Sequence, residues 1–155
     1  MANQFDFLSP TDKPSLLAIS TPEWILLAET ALLEINYKVY KIGSHLEFPS
    51  RFSQVQYQAV IIEDKFGGAE AAGNTTLQLL QSMPVNQRRH SVIILIGDSY
   101  ETLNSLPAFQ NSVHAVVNCS ELPLLGQLLQ KIVAENDLFL GNFREIQTRV
   151  AQARG

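Results

Sequence analysis

The sequence predicts an α/β domain in which helices cover both faces of a five-stranded parallel sheet. Three observations carry that prediction. Leu16–Ile19, Ala59–Ile62 and Val92–Ile96 are short unbroken apolar runs, the pattern of strands buried on both faces. Segments with helix start signals or helical spacing lie between them. Strand and helix signals alternate five times, as a parallel sheet with crossover helices requires.

Residues 1–14 mix polar residues with two prolines and read as an irregular lead-in. Ser15–Ser20 is the first strand. Thr21-Pro22-Glu23 then combines an N-cap residue, a proline at the first helical position and an acid in the first turn. That helix should run to about Ile35, with Trp24, Ala28, Ala31, Leu32 and Ile35 as its apolar stripe. Lys38–Ile42 alternates, as a strand nearer a sheet edge does. Pro49 breaks any long helix between His45 and Gln56, which leaves a short one over Ser50–Val55. Tyr57–Glu63 is the third strand, and Asp64–Asn74, with three glycines, is a loop. Thr75–Met83 is a helix stopped by Pro84. Ser91–Ile96 is the fourth strand, followed by a turn at Gly97-Asp98-Ser99. Tyr100–Gln110 is helical but interrupted at Pro107. His114–Asn118 is the fifth strand, and Ser120 caps a last helix that starts at Glu121 with Pro123 in its first turn. Five such units fit a flavodoxin-like doubly wound sheet of strand order 2-1-3-4-5, whose reactive groups sit at the carboxyl ends of the strands. The domain is expected over residues 15–136, with 137–155 as a C-terminal helical extension.

The chain has 155 residues, 46% of them apolar and 17% charged, enough for one domain with a proper core and unlike a disordered chain. A net charge of −4 offers no broad attraction to nucleic acid or to an anionic membrane surface. Cys119 is the single cysteine, so an intrachain disulfide is excluded and a reducing compartment fits. No run reaches the roughly 18 apolar residues of a spanning helix, and the first residues do not read as a signal peptide. Cytoplasmic residence is the resulting expectation.

Residues 15–135 resemble the receiver domain of two-component response regulators. Tyr57–Glu63 resembles the third receiver strand, and Asn111–Asn118 resembles the lead-in and fifth strand. The resemblance implies five functional positions. Two acids after the first strand hold Mg²⁺, a carboxylate ending the third strand accepts the phosphoryl group, a hydroxyl ends the fourth strand and a lysine ends the fifth. Metal and cation neutralise charge on the transferred group. In this chain those positions fall on Ser20 and Thr21, Glu63, Ile96 and Asn118. Neutral hydroxyls do not replace two carboxylates as Mg²⁺ ligands. Glu63 carries its carboxylate one methylene further out; it resembles a fixed mimic of the phosphorylated state, or it is a polar strand-end residue with solvent access. The resemblance therefore implies a pseudo-receiver, with the fold kept, the reaction lost, and no metal or cofactor. Asp64, one residue on, stays open as an acceptor, though it too lacks metal ligands and a lysine.

Other chemistry-bearing residues form no strong pattern. Asp64-Lys65 reads as surface charge. Gly67-Gly68 lacks the spacing of a phosphate loop and reads as a flexible turn. Arg88-Arg89-His90 reads as a solvated basic cluster. Cys119 reads as inert packing. His45, His90 and His114 have no metal-ligand spacing.

The last helix is the remaining signal. Leu125, Leu129, Ile132, Asn136, Phe139, Phe143, Ile146 and Val150 follow steps of four and three, a heptad stripe with one polar member. A receiver would end near Asn136. The extension either pairs with another chain, a homodimer being the simplest form, or packs in cis after a break at Gly141. Leu125, Leu129, Ile132, Phe139, Phe143, Ile146 and Val150 are thus the candidate interaction surface. Three functions remain open at this point: a non-enzymatic signalling or scaffold domain that binds proteins, a sensor holding a small ligand near Ser20, Glu63 and Gly67-Gly68, and an atypical phosphoreceiver using Asp64.

Overall fold

The computed structural model describes residues 12–68, 73–84 and 90–154, with side chains as far as 138 and at 149. Five parallel strands, β1 (Lys13–Ala18), β2 (Tyr37–Ile42), β3 (Ala59–Glu63), β4 (Val92–Gly97) and β5 (Ala115–Asn118), lie in the order β2-β1-β3-β4-β5. The helices are α1 (Pro22–Glu34), α2 (Phe48–Gln54), α3 (Thr75–Ser82), α4 (Ser105–Gln110) and α5 (Leu125–Arg154). The predicted fold class is the observed one.

The unbroken apolar runs have a direct cause. Successive side chains of a strand point to opposite faces, so a strand covered on both faces needs apolar residues at every position. Leu17, Ile61, Ile94 and Val117 pack with Ala28 and Leu32 of α1 and Leu129 and Ile132 of α5. Their neighbours Leu16, Val60, Ile93 and Val116 pack on the other face, with Phe48 of α2, Leu77 and Leu80 of α3 and Ala108 of α4. The alternating β2 is an edge strand, as its pattern predicts.

Local boundaries differ from the sequence reading where prolines were taken as breaks. Pro49 stands in the first turn of α2, where its missing N–H has no helical partner to lose, so the helix starts at Phe48 rather than Ser50. Pro107 likewise stands in the first turn of α4, which begins at Ser105 after the cap Asn104. β1 starts at Lys13, inside the expected lead-in. Ser120 does not cap the last helix. Asn118 caps a 3₁₀ turn over Cys119–Leu124 by accepting the Ser120 N–H, and α5 follows from Leu125. Nor is there a break at Gly141: α5 is one helix of 30 residues, about 45 Å long. Among the described residues no helix is long and apolar enough to cross a membrane.

Candidate functional site

β1 and β3 are neighbours, and their carboxyl ends bring Ser20, Thr21 and Glu63 together. Glu63 ends β3 and is only 5% exposed. Its Oε1 accepts the backbone N–H groups of Ser20 (2.9 Å) and Thr21 (3.0 Å), and its Oε2 accepts the Thr21 hydroxyl at 3.1 Å. The carboxylate thus satisfies the donors of the turn that leads into α1. Thr21 stands at the N-cap of α1 in extended backbone, but its side chain makes no cap bond and is spent on Glu63. The sequence left Glu63 as a mimic or as a solvated strand end; the structure makes it a buried strut between β3 and the β1–α1 turn.

A second layer of bonds borders the same place. The Ser20 hydroxyl accepts the Gly67 N–H at 2.9 Å. Gly67 has φ +73°, and a Cβ there would lie 2.7 Å from Nε2 of His45, so the glycine is required by conformation and by space. His45 Nδ1 accepts the Thr76 N–H (3.1 Å) and lies 2.8 Å from the Thr76 hydroxyl. That leaves the ring proton on Nε2, which donates to the Phe66 carbonyl at 2.9 Å. Asn74 is fully buried; it donates to the Glu63 carbonyl and caps α3 by accepting the Leu77 N–H. The sequence weighed His45 only for metal-ligand spacing and did not single out Asn74. These bonds tie up the Glu63 carboxylate and the Ser20 hydroxyl, while Ser20, Gly67 and Gly68 themselves stay exposed.

Asp64 is not surface charge: it is 6% exposed. Burial raises its carboxyl above the usual range, with Asp98 and Glu63 adding to the rise against the opposing Lys65 N–H and ammonium. A Cβ on Gly97 would lie 2.7 Å from Asp64 Oδ2 and 2.9 Å from Tyr100 Cε2, so glycine at the end of β4 makes room for this carboxyl. Burial leaves this carboxylate little access to a phosphoryl donor. Among the described residues no group of three His, Cys, Asp or Glu side chains could hold a metal ion.

The remaining positions have gone to structure. Ile96, opposite Glu63 in the β3–β4 register, is fully buried in the core under α1 and α5. Asn118 donates through Nδ2 to the Tyr100 carbonyl (2.7 Å) and through its backbone N–H to the Thr102 hydroxyl (2.9 Å). It organises two turns where a receiver would place a cation. Burial, with Asp98 second, pushes the Cys119 thiol up, against nucleophilic use. Leu125, Leu129 and Ile132 are buried against the sheet. The side chains of Phe139, Phe143, Ile146 and Val150 lie outside the described residues, as do Arg88 and Arg89.

Comparison with known proteins agrees with this fold. No family model matches the chain, and no curated protein matches it. Solved structures do. A protein described as a response regulator from Chloroflexus aurantiacus superposes with a TM-score of 0.63 at 15% identity, covering 80% of this chain and 99% of its own. A response regulator from Thermotoga maritima gives 0.59 at 13% identity, over 79% and 98%. A chain in which a trimeric coiled-coil segment of yeast Spc42 is fused to another protein gives 0.60 at 14% identity, over 95% of this chain and 94% of its own. At these identities the likeness is one of fold: the chain is built as receiver domains are.

Proposed function

We propose that this chain is a non-catalytic signalling domain with a receiver fold that acts by binding protein partners, independently of phosphorylation. The observation that carries this reading is the Glu63 carboxylate. At the position where a receiver accepts its phosphoryl group, it is buried and committed to three hydrogen bonds with the turn that would otherwise supply metal-binding acids. A buried carboxylate spent on that turn, beside neutral hydroxyls at Ser20 and Thr21, offers neither the paired acids nor the accessible nucleophile that the transfer needs.

Surface features favour the binding role. α4 presents Phe109 at 83% exposure and Leu106 at 61%, beside a groove of about 450 Å³ floored by Ala108 and Ile132 and flanked by Lys131 and Glu135 of α5. Exposed aromatic and aliphatic side chains beside a groove are typical of partner surfaces. The neighbour carrying a coiled coil covers 95% of this chain, whereas the two response regulators cover 80% and 79% of it. That supports the long helix as an interaction element. A single cysteine fits action in the cytoplasm.

The test is incubation with acetyl phosphate and Mg²⁺, read by intact mass. The expected result is an unmodified chain. A phosphoryl adduct that disappears in Asp64→Asn would overturn the proposal.

A further inference from the structure

We infer that residues 137–154 of α5 pair with the same segment of a second copy of this chain, antiparallel. The inference rests on the partner-binding reading above and names its partner.

It starts from where the helix leaves the domain. α5 begins beside the carboxyl ends of the strands and packs along α1 and β4. Asn136 and Asp137 border a small cavity with Pro14, Gln58 and His90, at the amino ends of β1, β3 and β4. By residue 137 the helix has therefore crossed the whole sheet, and Leu138 is already 67% exposed. The helix continues unbroken to Arg154, which carries it about 26 Å past the sheet, more than the roughly 20 Å length of β4 itself.

The sequence of that segment continues the buried stripe. After Leu125, Leu129, Ile132 and Asn136 come Phe139, Phe143, Ile146 and Val150, in the same steps of three and four. Such steps keep positions on one side of a helix, with a drift of only about 20° per heptad. Aromatic side chains bury roughly 150–250 Å² each, so Phe139 and Phe143 from two copies supply about 600–1,000 Å². Ile146 and Val150 bring the total near the ~1,200 Å² at which specific interfaces begin.

The direction follows from sterics. The stripe faces the chain's own core as far as Ile132. By the spacing alone, positions 139, 143, 146 and 150 fall on that same side of the helix, past the end of the sheet. A parallel partner helix placed there would bring its own domain into the space the first domain fills. An antiparallel partner puts its domain at the far end of the helix pair. The spacing is also self-complementary in that direction: Phe139 falls opposite the partner's Val150, and Phe143 opposite the partner's Ile146, because both pairs of numbers have the same sum.

The test uses the full chain with Cys119→Ser. Light scattering is expected to show a dimer at tens of micromolar, and Phe143→Asp to raise the dissociation constant at least 100-fold without changing the circular dichroism of the domain. Under oxidation, chains carrying Phe139→Cys mixed with chains carrying Val150→Cys are expected to form a disulfide heterodimer, while neither forms one alone. A monomer throughout, a trimer, a dimer indifferent to Phe143→Asp, or cross-linking of Val150→Cys with itself would each overturn the inference. A dimer that forms only with acetyl phosphate and Mg²⁺ would instead overturn the phosphorylation-independent reading.

Discussion

Replacing Glu63 separates a structural strut from a signalling mimic. Glu63→Ala removes the acceptor for two backbone N–H groups and one hydroxyl, all at a residue 5% exposed. A hydrogen bond to a charged group contributes roughly 1.5–3 kcal/mol, and an orphaned buried donor costs about 1–3 kcal/mol. Water entering the vacated space recovers part of this, so the expected loss is about 3–4 kcal/mol. With a urea dependence of about 2 kcal/mol/M, the midpoint falls by about 1.5–2 M. Glu63→Gln keeps an acceptor for both N–H groups and turns the Thr21 hydroxyl from donor to acceptor of the amide N–H, so the loss is chiefly the charge assistance, about 1 kcal/mol. Glu63→Asp is the informative change, because aspartate is the residue receivers use there. It withdraws the carboxylate by about 1.5 Å, breaks contacts of 2.9–3.1 Å, and leaves a buried charge without partners. Urea unfolding followed by the fluorescence of Trp24 should therefore rank the variants Gln, then Ala and Asp together far below. An Asp variant within about 0.5 kcal/mol of the parent would refute the strut, since only a carboxylate free of the turn tolerates that shortening.

Two further predictions use buried groups. Burial raises the Asp64 carboxyl above its ordinary 3.8, so between that value and the raised one the native chain holds a proton that the unfolded chain has released. Stability from this group is intact below 3.8 and is lost as pH rises through the raised value. Asp64→Asn, which cannot ionise, should be more stable than the parent at neutral pH, and the gap should close near about pH 3; a constant gap would remove the cause given. The Tyr57 hydroxyl is buried with no hydrogen-bond partner among the described residues, and burial pushes the phenol up to about 12. Tyr57→Phe should therefore be neutral or stabilising by up to about 1 kcal/mol in thermal unfolding, and a clear loss would reveal a partner for that hydroxyl.

The fold was legible because burial on both faces writes itself into consecutive residues. Leu16 and Leu17, or Ile61 and Ile62, serve different cores, and no other sheet position demands both. The strand ends were legible by position: Ser20, Thr21 and Glu63 meet where the register places them. Their bonding was not. Glu63 reaches donors 42 and 43 residues away, and His45 reaches Thr76 across 31, separations that leave no mark on local spacing. Asp64 was misread for a related reason. An acid beside a lysine and glycines resembles a surface turn, and only Gly97, on another strand, records the space made for it. Proline carried an ambiguous signal, since Pro49 and Pro107 start helices with the same chemistry that ends them elsewhere.

The central claim is that the carboxylate at the acceptor position of a receiver fold is taken up here by the fold itself. Its most direct test is amide NMR of the full chain titrated with Mg²⁺ and then with beryllofluoride, a phosphoryl analogue. The account predicts that the amides of Ser20, Thr21, Glu63 and Asp64 keep their shifts and that none saturates. Saturable, site-centred shifts at these residues, requiring both Mg²⁺ and the analogue, would contradict it and return the domain to the phosphoreceivers.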